Sequence, residues 1–355
     1  MSNSGTPNDA ASASRRVRIP DVRIAGMAAA LPGTLETVDM LLAQCPSDEE
    51  RASLQRAAAM SGTSAHYRAL PSTTSGDLCA HAAERLLDTL GWDRHSVDVL
   101  LFSSVTPDDI IPPSGYALHN RLGLGKQCIV LDALMGCTAF THGLWLASSL
   151  LSGGGPRRAL VLTGDTISRA TAPDDLKSRM LLGDAGTATA LEFTPGAAGL
   201  CAILGTDSGG AGSITQPGRG YRPSDAPPFF QMNGVKVFTF AHAVVPKVVD
   251  ALLTEASLTR EEVDMFYLHQ ANKMINEGIT RLANIPAGKA PDIIGRFANC
   301  GSASIPLLVC ASADGLPEGR DARVVFAGFG VGLSWSAAST VLAPDIPRLL
   351  LHTDL

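Results

Sequence analysis

HAAERLLDTLGWDRHSVDVLLF, residues 81–102, reads as a helix that turns into a strand, and VVPKVVDALLTEASLTREEVDMFYL, residues 244–268, reads the same way. Laying Asp98 on Asp264 sets an offset of 166 residues (264 − 98). A second pair has nearly the same spacing: RALVLTG from Arg158 matches RVVFAGF from Arg323, an offset of 165 (323 − 158). Shared propensity alone does not account for two matches in different strands at one period, so the chain reads as a duplicated α/β unit.

Around these segments strand-like runs alternate with helical patterns: VDVLLFSSV (97–105), QCIVLDAL (127–134), RALVLTGD (158–165) and TATALEF (187–193). Such alternation predicts a mainly parallel sheet covered by helices. The 355 residues suffice for one large domain or two ordinary ones. They divide into a flexible polar tail at 1–18, an N-terminal half at 19–195 and a C-terminal half at 196–355.

Composition narrows the function. With 45% hydrophobic and 17% charged residues and a net charge of -6, the chain reads as a soluble, mildly acidic globular protein with no nucleic-acid surface. The seven cysteines are odd in number, widely spaced and free of any C-x-x-C pair, which indicates neither a disulfide framework nor a zinc site. No metal cluster is expected, and a reducing cytoplasm is the expected location. No apolar stretch is read as approaching the length of a membrane span, and residues 1–18 lack the hydrophobic segment of a secretory signal.

Ligands of open α/β sheets gather at the carboxyl ends of strands. Just past the strand pattern at 127–134 comes LDALMGCTAFTHGL, residues 131–144. After Cys137, the residues Phe140, Leu144, Ala147 and Leu151 recur at i, i+4, i+7 and i+11, one face of a helix, so Cys137 sits at or near its N-terminus. Unpaired N–H groups and the helix dipole favour thiolate there, and the thiol pKa is expected below its usual value of about 8.5. His269 follows the strand VDMFY, and Asn299 opens a run of small residues in GRFANCGSASIPLL, 295–308. Singly, a cysteine is ordinarily core packing, a strand-end histidine structural, and an asparagine a turn or cap. All three follow predicted strands, and the two halves could bring them to one site.

Together GCTAF around Cys137, HQAN at 269–272, N-x-x-S-A-S-x-P from Asn299 to Pro306, GD at 183–184 and GFGVGLSW at 328–335 resemble the ketoacyl synthase III branch of the thiolase superfamily. The resemblance runs in order from about residue 20 to 342. It implies a thiolase-like α/β fold, two similar halves in five alternating layers, usually as a homodimer. It implies that Cys137 takes an acyl group from a thioester, and that His269 with Asn299 polarises a malonyl-type second substrate for decarboxylative condensation. The oxyanion would meet the backbone N–H groups of Cys137 and of Val331, which replaces a glycine common in the motif. Neutral imidazole and carboxamide both donate hydrogen bonds without adding a full charge, which suits a developing enolate.

The same resemblance implies substrate contacts at Arg169 by a tunnel mouth, at Met232 and Phe238 in FFQMNGVKVF, at Asn272, and at Pro112 in IIPPSG, the loop that reaches a partner's tunnel. The expected partners are acyl-CoA and acyl carrier protein, and no cofactor is implied beyond the thioester substrates. Four positions depart from the family: Arg56 stands for an aromatic residue that stacks on coenzyme A, and Met60, Thr239 and Met274 stand where basic residues are usual. These departures keep a second expectation open, acyl transfer to oxygen or nitrogen without condensation. A non-catalytic carrier-binding scaffold is a third, and a cysteine hydrolase a weaker fourth.

Overall fold

The computed structural model describes residues 13–312 and 315–355. Residues 1–12 of the expected tail lie outside them. The last part of that expected tail is a strand: β1 (Arg15–Ile19) pairs antiparallel with a strand of the second half. The other strands used below are β2 (Val22–Pro32), β3 (Val99–Ser103), β4 (Ile129–Ala133), β5 (Arg158–Asp165) and β6 (Ala185–Phe193). The second half supplies β7 (Leu200–Thr206), β8 (Met265–Leu268), β9 (Ala322–Gly330) and β10 (Ser334–Leu342), with β11 (Arg348–Thr353) at the end. Five helices matter: α1 (Ser75–Leu90), α2 (Ala139–Ser152), α3 (Gly234–Ala256), α4 (Lys273–Leu282) and α5 (Ser304–Ala311).

The first sheet runs β11-β2-β6-β5-β3-β4 and the second β1-β7-β10-β9-β8. Within them β2-β6-β5-β3 and β7-β10-β9-β8 repeat one order, so the duplication read at residues 81–102 and 244–268 is a duplication of sheets. The outermost strands are exchanged: β1 joins the C-terminal sheet, and β11 joins the N-terminal one beside β2.

Both sheets are mixed, which corrects the mainly parallel expectation. β3 runs parallel to β4 and β5, and β8 parallel to β9, whereas β5–β6, β2–β6, β9–β10 and β7–β10 are antiparallel. Residues 331–333 alone join β9 to β10, far too short for the crossover that parallel neighbours need.

Strand alternation sorts side chains into layers. Val99 and Leu101 enter the central core while Leu100 and Phe102 face α1; Val324 and Phe326 enter the same centre while Val325, Ala327 and Phe329 face α3. Phe140, Leu144, Ala147 and Leu151, the face expected of α2, all lie in that centre beside Ile305, Leu307 and Leu308 of α5. The result is α1, sheet, α2 with α5, sheet, α3 with α4: the five alternating layers of a thiolase-like fold. Each fully buried leucine contributes roughly 1.5–3 kcal/mol to that packing.

Helix ends are set locally. Thr74 caps α1, its hydroxyl accepting from the Asp77 N–H while the Asp77 carboxylate accepts from the Thr74 N–H, and Gly91 closes the helix with a left-handed φ of 62°. α3 corrects the reading that nothing approaches a membrane span: its 23 residues are long and apolar enough by length and composition. It is a core helix, because Phe240, Val244, Val245, Val248, Val249 and Leu252 are buried against the second sheet.

Candidate active site

Cys137 lies just past β4, one residue before Thr138, the N-cap of α2. The approach of the second half decides its surroundings. Phe140 meets Phe326 of β9 edge-on at 5.2 Å, and the Thr138 hydroxyl lies 3.1 Å from that of Ser334. Val105 packs over Gly136, its Cγ1 3.4 Å from where a Cβ would stand. Two backbone N–H groups lower the pKa of the Cys137 thiol, those of Val331 and of Cys137 itself.

The thiol is less acidic than its helix position suggests. Burial pushes its pKa up to about 11, more than the Val331 and Cys137 N–H groups pull it down, and the charge of Asp165 adds to the rise. This corrects the expectation of a lowered pKa: withdrawal from water outweighs favourable ends of dipoles.

His269 follows β8, its own N–H donating to the Ala327 carbonyl at 2.8 Å. The ring is buried, meets Phe329 edge-on at 5.5 Å, and has no partner at Nδ1 among the described residues. Burial alone pushes its pKa down to about 3, so it is neutral across the physiological range. Asn276 of α4 donates from Nδ2 to the His269 carbonyl at 3.0 Å and so ties the residue to the helix behind it. Phe329, which the imidazole meets, precedes Gly330, which backs onto the Cys137 sulfur, so both groups border one short piece of β9.

Asn299 is held by its backbone and by its amide oxygen. Its N–H donates to Leu181 and its carbonyl accepts from Gly183, each at 3.0 Å. Oδ1 accepts the Gly301 N–H at 2.9 Å and the Ser304 hydroxyl at 3.4 Å, which leaves the Nδ2 protons as the donating end. Sequence reasoning missed Asp165, Asn276 and Phe329. Asp165 closes the run RALVLTGD, where a carboxylate at a strand's carboxyl end was the available signal.

A family model described as 3-oxoacyl-(acyl-carrier-protein) synthase III matches residues 131–211, and its C-terminal counterpart matches residues 253–341. The beta-ketoacyl-(acyl-carrier-protein) synthase III of Prochlorococcus marinus (strain MIT 9313) is 33% identical over 298 residues, 78% of this chain and 84% of that protein. That of Streptococcus suis (strain 05ZYH33) is 30% identical over 272 residues, 74% and 82% of the two chains. The chain belongs to the beta-ketoacyl-(acyl-carrier-protein) synthase III family. A solved 3-oxoacyl-(acyl-carrier protein) synthase from Burkholderia xenovorans LB400 superposes with a TM-score of 0.92 at 33% identity, covering 96% of this chain and all of that one. The protein is accordingly an enzyme of the synthase III type with the thiolase fold.

In this synthase III family member the remaining expected residues are placed as follows. The Arg169 guanidinium donates to the carbonyls of Leu70 and Thr73 and so braces the segment before α1. Asn272 is the N-cap of α4, its Oδ1 accepting from Ile275 at 2.9 Å. Met232 sits in a two-residue strand opposite Ile214 and is half exposed, and Phe238 meets His242 at 4.0 Å with the rings tilted by 34°. Pro112 lies in an exposed loop between Ile111 and α-helical residues 114–121. Met60 and Met274 are exposed, as are Arg56 and Thr239.

Proposed function

We propose that this enzyme forms an acyl thioester on Cys137 and condenses it with a malonyl-type thioester. The observation that carries the reading is the sulfur whose pKa the backbone N–H groups of Cys137 and Val331 lower, together with a histidine kept neutral by burial that borders the same end of β9. In the first step the Cys137 sulfur attacks the acyl carbonyl, the oxyanion is met by those N–H groups, the donor thiol leaves, and the cysteine proton passes to it. In the second, the malonyl carbon–carboxylate bond breaks to release carbon dioxide. Its electron pair becomes an enolate whose oxygen accepts hydrogen bonds from His269 and the Asn299 amide. The enolate carbon then attacks the acyl carbonyl and the cysteine sulfur leaves as thiolate, taking up one proton from solvent.

A neutral histidine with no carboxylate partner among the described residues fits this role better than that of a base in a hydrolytic triad, where a third group stabilises the imidazolium. Acyl-CoA and an acyl carrier protein are the proposed thioester carriers, and the relatives' names include the acyl carrier protein for those proteins. The cysteines are unbridged, in keeping with a reducing compartment. Acyl transfer to oxygen or nitrogen remains the second reading, favoured by the exposed Arg56, Met60, Thr239 and Met274 where the family resemblance implies aromatic or basic residues.

We further propose a homodimer built on β4. This strand ends the first sheet with one side unpaired, and it exposes Ile129 (44%) and the adjoining Leu134 (77%). The fold then divides into halves near residue 195, apart from the exchanged end strands.

The test is intact-mass measurement after incubation with a panel of acyl-CoA thioesters, for the wild type, Cys137→Ala and His269→Ala. Condensation predicts acylation that is lost in the first variant and kept in the second, with carbon dioxide released from malonyl thioester only when His269 is present. Absence of any mass change in the wild type refutes the acyl-enzyme, and turnover to product in the presence of an alcohol or amine without carbon dioxide supports the second reading.

A further inference from the structure

Asp165 ends β5 at the carboxyl edge of the first sheet and is fully buried. Its two oxygens face different halves of the molecule. Oδ1 accepts from the Ser104 hydroxyl at 2.9 Å and the Val105 N–H at 2.8 Å, with the Thr106 N–H and hydroxyl each at 3.3 Å. Oδ2 accepts from the Ser302 N–H at 2.7 Å. Residues 104–106 follow β3, and Val105 is the residue that packs over Gly136 next to Cys137. Ser302 stands three residues after Asn299, on the arm whose Gly301 N–H fixes the Asn299 amide. One carboxylate therefore spans from the cysteine side of the site to the asparagine side.

The arm is shaped for this contact. Gly301 has a left-handed φ of 56°, and a Cβ there would collide with Asp165 Oδ2. The chemistry of the group also matters: a carboxylate accepts at both oxygens, whereas an amide of the same shape must turn a donor toward one set of N–H groups.

We propose that Asp165 is a positioning residue that sets the Asn299 amide at its working distance from Cys137 by tying Ser302 to the Ser104–Thr106 loop. This rests on the acyl-enzyme and decarboxylation reading given above. In Asp165→Asn the amide oxygen satisfies the four donors around Oδ1 and the NH2 is left opposed to the Ser302 N–H, so the asparagine arm shifts while the cysteine side is kept. The two half-reactions separate accordingly: acylation depends on Cys137 and its N–H groups, decarboxylation on His269 and Asn299.

Two variants approach the contact from opposite sides. Asp165→Asn removes an acceptor and a charge; Gly301→Ala keeps the charge but displaces the arm. Each is assayed for Cys137 acylation by an acyl-CoA, for carbon dioxide release from malonyl-CoA, and for the pH dependence of Cys137 alkylation by iodoacetamide. Both variants are expected to lose decarboxylation by about a hundredfold, the scale of a misplacement of about 1 Å. Acylation is expected to change by no more than about threefold, the mark of a residue acting on one step. The alkylation pKa is expected to fall in Asp165→Asn, because a negative charge near the sulfur is gone, and to stay in place in Gly301→Ala. Equal losses of both steps in both variants, or unchanged decarboxylation, overturn the proposal. Should Asp165→Asn fail to fold by circular dichroism, Gly301→Ala tests the same contact by itself, with the same outcomes deciding. A wild-type enzyme that neither acylates nor releases carbon dioxide refutes the parent reading instead.

Discussion

Gly330 stands directly behind Cys137: a Cβ at that position would lie 2.7 Å from the sulfur and 3.0 Å from the cysteine Cβ. The backbone there also has a φ of 149°, which side chains rarely adopt. The end of β9 is thus a wall against which the Cys137 sulfur rests, and the wall has no room for a methyl group. Gly330→Ala is expected to lower the rate of Cys137 acylation by at least about a hundredfold, through displacement of the sulfur from the Val331 and Cys137 N–H groups. Intact-mass time courses check this, and acylation at the wild-type rate would show that the contact is irrelevant to attack.

The high thiol pKa has a direct kinetic signature. With Cys137 pushed up to about 11, its thiolate fraction rises about tenfold per pH unit across the neutral range. Alkylation by iodoacetamide should therefore accelerate from pH 7 to pH 10 without a plateau. A plateau near pH 7 would mean that the sulfur is more acidic than its burial dictates.

His269 makes stability fall on the acid side. The folded residue, with its pKa pushed down to about 3, refuses the proton that the unfolded chain takes up near 6.5. Below pH 6.5 each unit therefore costs about 1.4 kcal/mol from this group until about pH 3. His66 and His142 act in the same direction, because burial lowers both. Urea midpoints should drop between pH 7 and pH 5, and more gently in His269→Gln; identical slopes for the two proteins would contradict the assignment.

A buried ion cluster away from the cysteine makes a fourth test. Glu36 accepts from the Arg179 Nε at 3.0 Å, lies 3.0 Å from His66 Nε2, and has the Arg68 guanidinium at 3.6 Å. Burial pushes its pKa up, but the Arg179 hydrogen bond and charge, followed by the charges of Arg68 and His66, bring it below the usual value. Its contribution is present above pH 4.5 and is lost as pH falls through the lowered pKa. Arg179→Met leaves this carboxylate poorly paired and is expected to cost ~3–5 kcal/mol. Chemical denaturation at pH 7 measures the loss, and a change near zero would mean that water replaces the guanidinium.

The edge of β4 supplies the last prediction. Ile129→Lys together with Leu134→Lys places charges of one sign on the exposed end of the first sheet, so that like charges from two copies would face each other across a pairing. Light scattering should find a dimer for the wild type and a monomer for the double variant. A monomeric wild type would refute the homodimer.

Much of this architecture is written in local patterns. The alternation in Val99, Leu100, Leu101 and Phe102 is enough to say that the strand has two buried faces, and the spacing of Phe140, Leu144, Ala147 and Leu151 is enough to orient α2. The repeat at 165–166 residues adds that the two sheets share an order. Strand direction is less legible, because a short link such as residues 331–333 reveals an antiparallel pair only once the strand ends are known. The exchange of β1 and β11 leaves no periodic trace at all.

Sequence by itself determined the duplicated halves, the family and the identity of Cys137, His269 and Asn299 as candidates, because hydrophobic period and motif order are properties of neighbouring residues. Tertiary structure decided the rest. The acidity of Cys137 and His269 follows from how far the packed halves withdraw them from water, and the role of Asp165 follows from donors 61 and 137 residues away in the chain. Desolvation and long-range hydrogen bonding depend on where the folded chain brings remote segments together, and no local pattern encodes that.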